Sequence, residues 1–542
     1  MTHCDVLVVG AGFGGLYAIE RMRREGLSVI CLESASGVGG VWFHNRYPGA
    51  RVDIESLDYC YQFSRDLFGA WRWSERFAAQ DELLRYLNFV ADRLNLRHHI
   101  RFNTTLARGR WLPQQARYEL QTAGGERFSC RFLVLAAGNL SAARTPQFEG
   151  LDSFQGEWVQ TARWPEREVR LSGRRVAVIG TGSSGVQAVT AIAPHAAQLY
   201  VFQRTPNYSV PARNAPLAEA EYMAAVNAPD RREALLATAV GARVGLPDAP
   251  LPYAKYSETE RTERLEAQWA LGGQGMNRVF ADQSLDAAVN QVVADFVRGK
   301  IRATVKDPEV AALLCPHDHP IGTRRLVLDT GYYECFNRDN VRLVSIAADP
   351  IAHITPTGLM LRSGVSYDVD LIVFALGFHA FRGAMERIDL RNGRGEAIPD
   401  LWRRGPRTLL GLMTAGFPNL FHLTGPGSPS VLANMALMNE QHVDFTAAMI
   451  AHMRARGYDA VEPEVAAQDA WTAHAAEVAS MLLRLQVDNY MVHVNADDGS
   501  RVFMPYTGGL GRFNEACQAI AADGFKGFAF TRAMAENTEA PP

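Results

Sequence analysis

Two glycine-rich turns, each set between a short apolar run and a helical pattern, are the first residues in this 542-residue chain that could do chemistry. The first turn reads Gly10-Ala11-Gly12-Phe13-Gly14-Gly15, between the β-branched run 6–9 and the amphipathic stretch 16–24. Glycines in such a turn let backbone N–H groups approach a pyrophosphate at a helix N-terminus. Glu33 ends the next predicted strand, 28–32, where a carboxylate would bind a ribose hydroxyl. This turn therefore predicts a dinucleotide site.

The second turn reads Gly180-Thr181-Gly182-Ser183-Ser184-Gly185, between a predicted strand at 176–179 and a predicted helix at 186–193. The strand that follows, 198–202, ends in Gln203-Arg204-Thr205 and not in an acid. An acid would repel a 2′-phosphate, whereas an arginine pairs with one. The second turn is therefore predicted to bind NADP(H), and the first turn, with Glu33, is predicted to bind FAD. Two such cofactors suggest hydride transfer from a nicotinamide to a flavin.

Residues 154–165, F-Q-G-E-W-V-Q-T-A-R-W-P, connect the two sites and show neither a helical nor a strand period. Gly156 and Pro165 bound the stretch, and Phe154, Trp158 and Trp164 are aromatic anchors. One interpretation is an ordinary linker that buries its aromatics. The other is a hinge through which any motion between two nucleotide domains would pass.

The elements around these turns predict an α/β fold with two Rossmann-like dinucleotide-binding domains and a helical insertion. Two further apolar strands, 132–136 and 371–375, end in Ala-Ala-Gly and Ala-Leu-Gly and would return the chain across each domain. Helical patterns at 219–226, 257–269 and 285–300 suggest the insertion. The expected division is 1–145 and 376–542 for the FAD-binding domain, 146–210 and 321–375 for the hinge and NADP-binding domain, and 211–320 for the insertion.

Composition narrows the class of protein. The formal net charge of −3 favours neither a nucleic-acid partner nor a membrane surface. Seven scattered cysteines without C-x-x-C spacing indicate reduced thiols in a cytoplasmic protein, with no disulfide framework and no metal site. Neither a signal peptide nor a membrane span is expected, and residues 535–542 should form a frayed tail.

Taken together, these motifs resemble the single-component, FAD-dependent Baeyer–Villiger monooxygenases, which have a flavoprotein monooxygenase architecture. The likeness rests on both turns, the stretch 154–165, N-R-Y-P-G-A-R-V-D at 45–53, D-T-G-Y-Y at 329–333 and R-V-F-M at 501–504. It implies that NADPH reduces FAD and that reduced flavin and O2 give a C4a-peroxyflavin. That species would convert a small hydrophobic ketone into an ester or lactone, with sulfoxidation as a side activity.

The resemblance also implies roles for individual residues. Arg325 matches the family's active-site arginine and Asp53 the carboxylate that holds it, while Val431, Leu432 and Met435 match a loop that lines the ketone pocket. Phe154, Gly156, Gln160, Trp164 and Pro165 make up the hinge motif. The implied cofactor-binding residues are Gly10, Gly12, Phe13, Gly14, Gly15, Glu33, Gly40, Val41, Trp42, Asp53, Tyr59, Gly180, Thr181, Gly182, Ser183, Ser184, Gln187, Arg204, Thr205, Arg324 and Tyr490.

Several positions depart from the family pattern. Gln160 replaces a hinge histidine, Tyr490 replaces a tryptophan near the nicotinamide, and His44, His379 and His493 replace other residues. A glutamine cannot carry the charge that a histidine can, so we expect weaker coupling of NADPH use to oxygenation. Two alternatives stay open: an NADPH oxidase that releases hydrogen peroxide, and a flavin-binding protein without turnover. We expect a monomer or a weak homo-oligomer.

Overall fold

The structure is a computed structural model, and it describes residues 1–532; the predicted tail at 535–542 lies outside them. The strands are β1 (Thr2–Val9), β2 (Val29–Leu32), β3 (Ile100–Arg101), β4 (Leu106–Leu112), β5 (Arg117–Thr122), β6 (Arg127–Leu135), β7 (Glu157–Gln160), β8 (Arg175–Ile179), β9 (Gln198–Gln203), β10 (Ser209–Pro211), β11 (Val327–Asp329), β12 (Val341–Ser345), β13 (Ile351–Thr355), β14 (Gly358–Leu361), β15 (Ser366–Asp368), β16 (Leu371–Phe374), β17 (Asp389–Arg391), β18 (Leu420–His422), β19 (Ala460–Pro463), β20 (Val492–Val494), β21 (Arg501–Phe503) and β22 (Phe528–Thr531). The helices are α1 (Phe13–Arg24), α2 (Val41–His44), α3 (Arg65–Gly69), α4 (Gln80–Arg93), α5 (Ser183–Ile192), α6 (Glu219–Asn227), α7 (Arg231–Leu236), α8 (Glu258–Leu271), α9 (Ala287–Thr304), α10 (Pro308–Leu314), α11 (Tyr332–Cys335), α12 (Gly383–Glu386), α13 (Ile398–Leu401), α14 (Met435–Arg456), α15 (Val465–Ser480) and α16 (Leu510–Ala522).

The first sheet carries the first glycine turn. Its strand order is β17-β4-β5-β6-β1-β2-β3, and β18 also pairs with β6. The central strand β1 runs parallel to both neighbours, with Val6 opposite Val29 on one side and Phe132 on the other. Val6 and Phe132 are fully buried, as expected for parallel strands covered on both faces. Helix α1 leaves β1 through the turn and packs against α14.

The second sheet carries the second glycine turn and is parallel throughout. Its order is β12-β9-β8-β16-β7. Strand β16 lies between β8 and β7, with Leu371 opposite Val176 and Glu157. The apolar run 371–375 is therefore the strand that returns the chain across this second sheet. Both sheets confirm the predicted α/β class with two Rossmann-like units.

The stretch 154–165 differs from its prediction as irregular chain. Residues 157–160 form β7, the edge strand of the second sheet, paired in parallel with β16. A four-residue edge strand is too short to show a two-residue apolar period, and Trp158 stays 44% exposed because it faces outward. Trp164 is buried and Phe154 half-buried, so two of the three predicted aromatic anchors are covered.

Residues between β10 and β11 form the helices α6 to α10. Ser257 begins α8 with a capping box, in which its side chain accepts a hydrogen bond from the Glu260 N–H and Glu260 accepts one from the Ser257 N–H. Helix α9 buries Val289, Val293 and Val297 on one face. The predicted helical segments are confirmed. Within residues 1–532, no helix combines the length and the apolar character that crossing a membrane requires.

Candidate active site

Three of the four glycines of the first turn, Gly10, Gly12 and Gly15, meet three different structural needs. Gly10 has φ of 101°, and a Cβ there would lie 2.6 Å from the Ala136 carbonyl oxygen. A Cβ on Gly15 would lie 1.8 Å from the Gly10 carbonyl oxygen, so only glycine allows α1 to pack this closely against β1. A Cβ on Gly12 would meet nothing nearer than 3.5 Å. The N-terminus of α1 is therefore open, and it fits the pyrophosphate of a dinucleotide.

The second turn repeats this arrangement. Gly180 has φ of 108° and faces the Ala375 carbonyl oxygen, while a Cβ on Gly185 would lie 2.0 Å from the Gly180 carbonyl oxygen. Among the residues that the structure describes, no heavy atom lies within 4 Å of a Cβ placed on Gly182. The middle glycine thus again borders open space at a helix N-terminus, here that of α5. This turn also fits a dinucleotide pyrophosphate, and Ser183 and Ser184 begin the helix beside it.

Glu33 lies at the end of β2, against the first turn. Its buried carboxylate accepts hydrogen bonds from the backbone N–H of Ala11 (2.7 Å) and of Ala35 (2.8 Å). These bonds fix the carboxylate beside the turn, where the ribose of a dinucleotide would lie.

A second glycine loop and two aromatic residues close around the first turn. A Cβ on Gly40 would lie 3.1 Å from the Gly12 Cα, so the two loops touch. Val41 begins the short helix α2. The indole Nε1 of Trp42 donates to the Tyr59 hydroxyl at 3.2 Å, and the Phe13 and Tyr59 rings are 5.2 Å apart. The structure therefore brings this predicted group of cofactor-binding residues together, although they span residues 12–59.

Asp53 and Arg325 form a bidentate ion pair across 272 residues of sequence. Arg325 Nε donates to Asp53 Oδ2 at 2.5 Å and Nη2 donates to Oδ1 at 2.8 Å. Nη1 donates to the Val431 carbonyl oxygen at 2.7 Å. Burial alone would lower the pKa of Arg325, but the Asp53 carboxylate raises it by more, so the net pKa lies above its usual range. Arg325 is thus a fixed, permanently charged donor.

Gln274 and Tyr490 complete the surroundings of this pair. Gln274 Nε2 donates to Asp53 Oδ2 (3.4 Å) and to the Leu326 carbonyl oxygen (3.1 Å). Burial raises the pKa of Tyr490 above its ordinary value, and the nearby Arg325 charge opposes that rise without cancelling it. Sequence reasoning missed Gln274, because no motif marks a glutamine in the helical insertion as a neighbour of Asp53.

A cavity of about 370 Å³ lies beside the ion pair. Arg325, Leu432 and Tyr490 line it, as does Gln274. Val431 is instead buried and offers its carbonyl oxygen to Arg325, and Met435 packs among apolar side chains next to Val431. Other lining residues, not singled out from the sequence, include Ile54, Val240, Val244, Arg278, Leu483 and Arg484.

Two of the predicted residues around the second turn are held by hydrogen bonds, one of them to the segment 47–51. Gln187, on α5, accepts a hydrogen bond from the Tyr47 hydroxyl (2.7 Å) and donates to the Arg51 carbonyl oxygen (3.1 Å). Thr181 Oγ1 donates to the Thr205 carbonyl oxygen at 3.0 Å, which fixes the end of β9 against the turn.

Two of the predicted phosphate ligands are free enough to bind an anion. Arg204 is exposed, and its side chain makes no ion pair within the described residues 1–532. Arg324 lies 3.6 Å from Asp318, a long contact, and donates weakly to the Asp488 carbonyl oxygen at 3.4 Å.

The hinge motif contacts the first unit through its second half. The Trp164 N–H donates to the His44 carbonyl oxygen at 3.2 Å. Gln160 Nε2 donates to the Arg144 carbonyl oxygen at 3.3 Å. Gly156 has no room for a Cβ, which would lie 2.8 Å from the Asp370 carbonyl oxygen. Pro165 directly follows Trp164. The hydrogen bond of the Gln160 side chain is to a backbone carbonyl oxygen, so this residue is not held by an ionisable side chain within residues 1–532.

His44, His379 and His493 depart from the family pattern. Among the described residues, no hydrogen bond joins any of them to the Gln160 side chain. His493 lies 3.1 Å from Arg382, and burial followed by that positive charge lowers its pKa. Burial likewise lowers the pKa of His44. The His379 N–H donates to the Ala142 carbonyl oxygen.

Comparison with known proteins places the chain in a family. Residues 4–226 match the model of the pyridine nucleotide-disulphide oxidoreductase family. A Baeyer–Villiger monooxygenase from Pseudooceanicola batsensis is 39% identical, over 96% of this chain and 95% of the relative. The chain belongs to the Baeyer–Villiger monooxygenase family. Another relative, acetone monooxygenase (methyl acetate-forming) from Gordonia sp. (strain TY-5), is 38% identical over 98% of this chain and 99% of its own length.

Solved structures of the family have the same fold. The structure described as oxidized steroid monooxygenase bound to NADP superposes with a TM-score of 0.93 at 46% identity, covering 98% of this chain and all of that one. This Baeyer–Villiger monooxygenase is accordingly an FAD-containing, NADPH-dependent flavoprotein, as both turns predicted. Its family converts ketones into esters or lactones with O2.

Proposed function

We propose that this Baeyer–Villiger monooxygenase oxygenates a hydrophobic ketone in the cavity beside Arg325. The bidentate Asp53–Arg325 pair at that cavity is the observation that carries the proposal. Ile54, Val240 and Leu432 give the cavity apolar walls, which favour an apolar substrate. The flavin, when bound, supplies the oxygen-transferring chemistry, and the overall reaction consumes ketone, O2, NADPH and a proton and yields ester, NADP+ and water.

Arg325 would act as an electrostatic catalyst. Its guanidinium is held by three hydrogen bonds, to Asp53 and to the Val431 carbonyl oxygen. A cation that is already fixed in place stabilises negative charge without reorganising as that charge develops on the substrate oxygen. Asp53 would position Arg325, and Gln274 would in turn position Asp53.

The cofactor assignments follow the two turns. Gly10 to Gly15 and Glu33 would hold the pyrophosphate and ribose of FAD, with Gly40, Trp42 and Tyr59 closing over it. Gly180 to Gly185 would hold the pyrophosphate of NADPH. Arg204, Thr205 and Arg324 would bind its 2′-phosphate, since Arg204 has no carboxylate partner among residues 1–532.

The remaining proposals concern the whole molecule. We retain the five segments bounded at 145, 210, 320 and 375, with 154–165 as the hinge. All seven cysteines are buried and free, which supports a reducing, cytoplasmic setting. The protein would act as a monomer or a weak homo-oligomer, which light scattering of the purified holoenzyme measures.

The test uses the FAD holoenzyme with NADPH, 18O2 and a panel of cyclic and aryl ketones. Mass spectrometry should find an ester or lactone carrying one 18O atom, and Arg325→Lys should lower its rate at least tenfold because lysine cannot reproduce the bidentate geometry. Arg76→Lys is the matched control, since Arg76 also makes two hydrogen bonds to one carboxylate, that of Glu55. NADPH use with stoichiometric hydrogen peroxide and no ester from any ketone would overturn the proposal.

A further inference from the structure

The cavity beside Arg325 has a one-sided charge. Among the described residues that line it, three are charged, and all three are arginines: Arg278, Arg325 and Arg484. Arg325 is neutralised by Asp53. The other two guanidinium groups have no carboxylate partner in the described part of the chain, so the cavity has a surplus of positive charge that an apolar ketone alone would not use.

Arg484 is the more enclosed of the two. Its Nε and Nη2 atoms both donate to the Gly322 carbonyl oxygen, at 3.1 Å and 2.6 Å. Within residues 1–532, no carboxylate oxygen lies within 4.0 Å of its guanidinium, and Nη1 makes no hydrogen bond. Burial, opposed by Tyr490 and reinforced by the charge of Arg325, lowers the pKa of Arg484 to about 10. Burying a guanidinium charge without a counter-charge costs free energy, and an anion bound beside it would offset that cost.

Arg278 is exposed and lines the same cavity. Its side chain makes no ion pair with any residue that the structure describes. It therefore adds positive potential at a solvent-accessible part of the wall, which would draw an anion toward the cavity.

The phosphates of NADPH are the first candidates for such an anion, but we have proposed other residues as their ligands. The open helix N-terminus at Gly182 and the exposed Arg204 are both absent from the lining of this cavity, and so is Arg324. The cavity that contains Arg484 is instead the one that Leu432 and Arg325 border. The anion expected here is therefore part of the substrate.

We propose that the ketone carries a carboxylate group distant from its carbonyl, and that Arg484 binds this carboxylate while Arg278 attracts it. The substrate class is a keto acid with an apolar body. The inference rests on the proposed function, since it assigns the other end of the same substrate. Arg484 would be a specificity-determining residue and would take no part in oxygen transfer.

The test compares two ketones of nearly equal size, 4-(3-oxobutyl)benzoate and the neutral 4-(3-oxobutyl)benzamide. A charge-assisted hydrogen bond corresponds to about 10- to 100-fold in affinity. We expect the holoenzyme to prefer the benzoate in kcat/KM by about tenfold or more, and Arg484→Gln to abolish that preference by lowering kcat/KM for the benzoate. Arg484→Lys should restore part of it. Arg72→Gln, at an exposed ion pair with Glu219, is the control for loss of a surface charge.

Calorimetry separates failure of this inference from failure of the proposed function. The benzoate should bind the oxidised holoenzyme with NADP+ at least tenfold more tightly than the benzamide, and Arg484→Gln should remove the difference, whether or not an ester forms. Equal affinities in the parent enzyme would overturn the inference even if the benzamide is oxygenated. A rise in the KM for NADPH with parallel losses for both ketones would also overturn it, because Arg484 would then serve the dinucleotide.

Discussion

Asp53→Asn tests whether the carboxylate at the cavity does more than stabilise the fold. The substitution keeps the size of the side chain and removes its charge. Asp53 accepts two hydrogen bonds from Arg325, at 2.5 Å and 2.8 Å, and asparagine can accept only one of them. The side chains of Arg325 and Asp53 are 28% and 24% exposed, so solvent screens the pair only partly.

The magnitude follows from this geometry. A hydrogen bond between charged groups contributes about 1.5–3 kcal/mol, and partial exposure places the loss near the lower half of that range. We expect the free energy of unfolding to fall by about 2 kcal/mol. If the same interaction positions Arg325 during catalysis, kcat/KM for the ketone should fall by roughly 30-fold, which is what about 2 kcal/mol corresponds to.

Glu55→Gln provides the matched control. Glu55 also pairs with an arginine, Arg76, and its side chain is 28% exposed, but neither residue lines the cavity. Urea unfolding should show similar losses of stability in the two variants. Ester formation should fall only in Asp53→Asn. If both variants form ester within threefold of the parent, Asp53 is a structural residue and our assignment of its positioning role is wrong.

Three further predictions concern the second turn, the hinge and buried histidines. Gly182→Ala should raise the KM for NADPH at least tenfold with normal FAD content, because its Cβ would occupy the open space at α5; an unchanged KM contradicts this. Gln160→His should lower the fraction of NADPH whose oxidation yields hydrogen peroxide in place of ester. An unchanged fraction would show that glutamine in place of the family's histidine at position 160 does not affect coupling. Burial lowers the pKa of His422 to about 4 and of His442 to about 3. Since both lie below the unfolded value of about 6.5, the unfolded chain binds these protons first. The free energy of unfolding should therefore fall from pH 6.5 to 5.5, by about 1 kcal/mol per histidine. His422→Asn should reduce that slope in urea unfolding; an equal slope refutes the assignment.

Local sequence was enough to predict the two nucleotide sites. A strand, a glycine turn and a helix occupy consecutive residues, so their pattern is visible without knowledge of distant contacts. Gly10, Gly15 and Gly182 each meet in the structure the need that their spacing indicates. The acid at Glu33 and the basic residue at Arg204 likewise follow their strands directly, and we propose that they distinguish the two cofactors.

The edge strand β7 shows where local patterns fail. Its four residues pair with β16, more than two hundred residues later, and one of its side chains, Trp158, faces outward. Such a strand is specified by its partner and not by its own periodicity. The position of the stretch 154–165 between two nucleotide sites therefore predicts that it connects them. Its sequence pattern does not predict that residues 157–160 form a strand.

The sequence by itself was enough to predict which cofactors this protein binds, because the residues proposed to hold each cofactor are neighbours in the chain. Only the tertiary structure decided what the cavity offers a substrate. Asp53 and Arg325 meet from positions 272 residues apart, and Gln274, Arg278 and Arg484 reach the same cavity from the helical insertion and the late part of the chain. No local period relates these residues. They act together because the fold places them around one space, in which two of the three arginines have no carboxylate partner among residues 1–532.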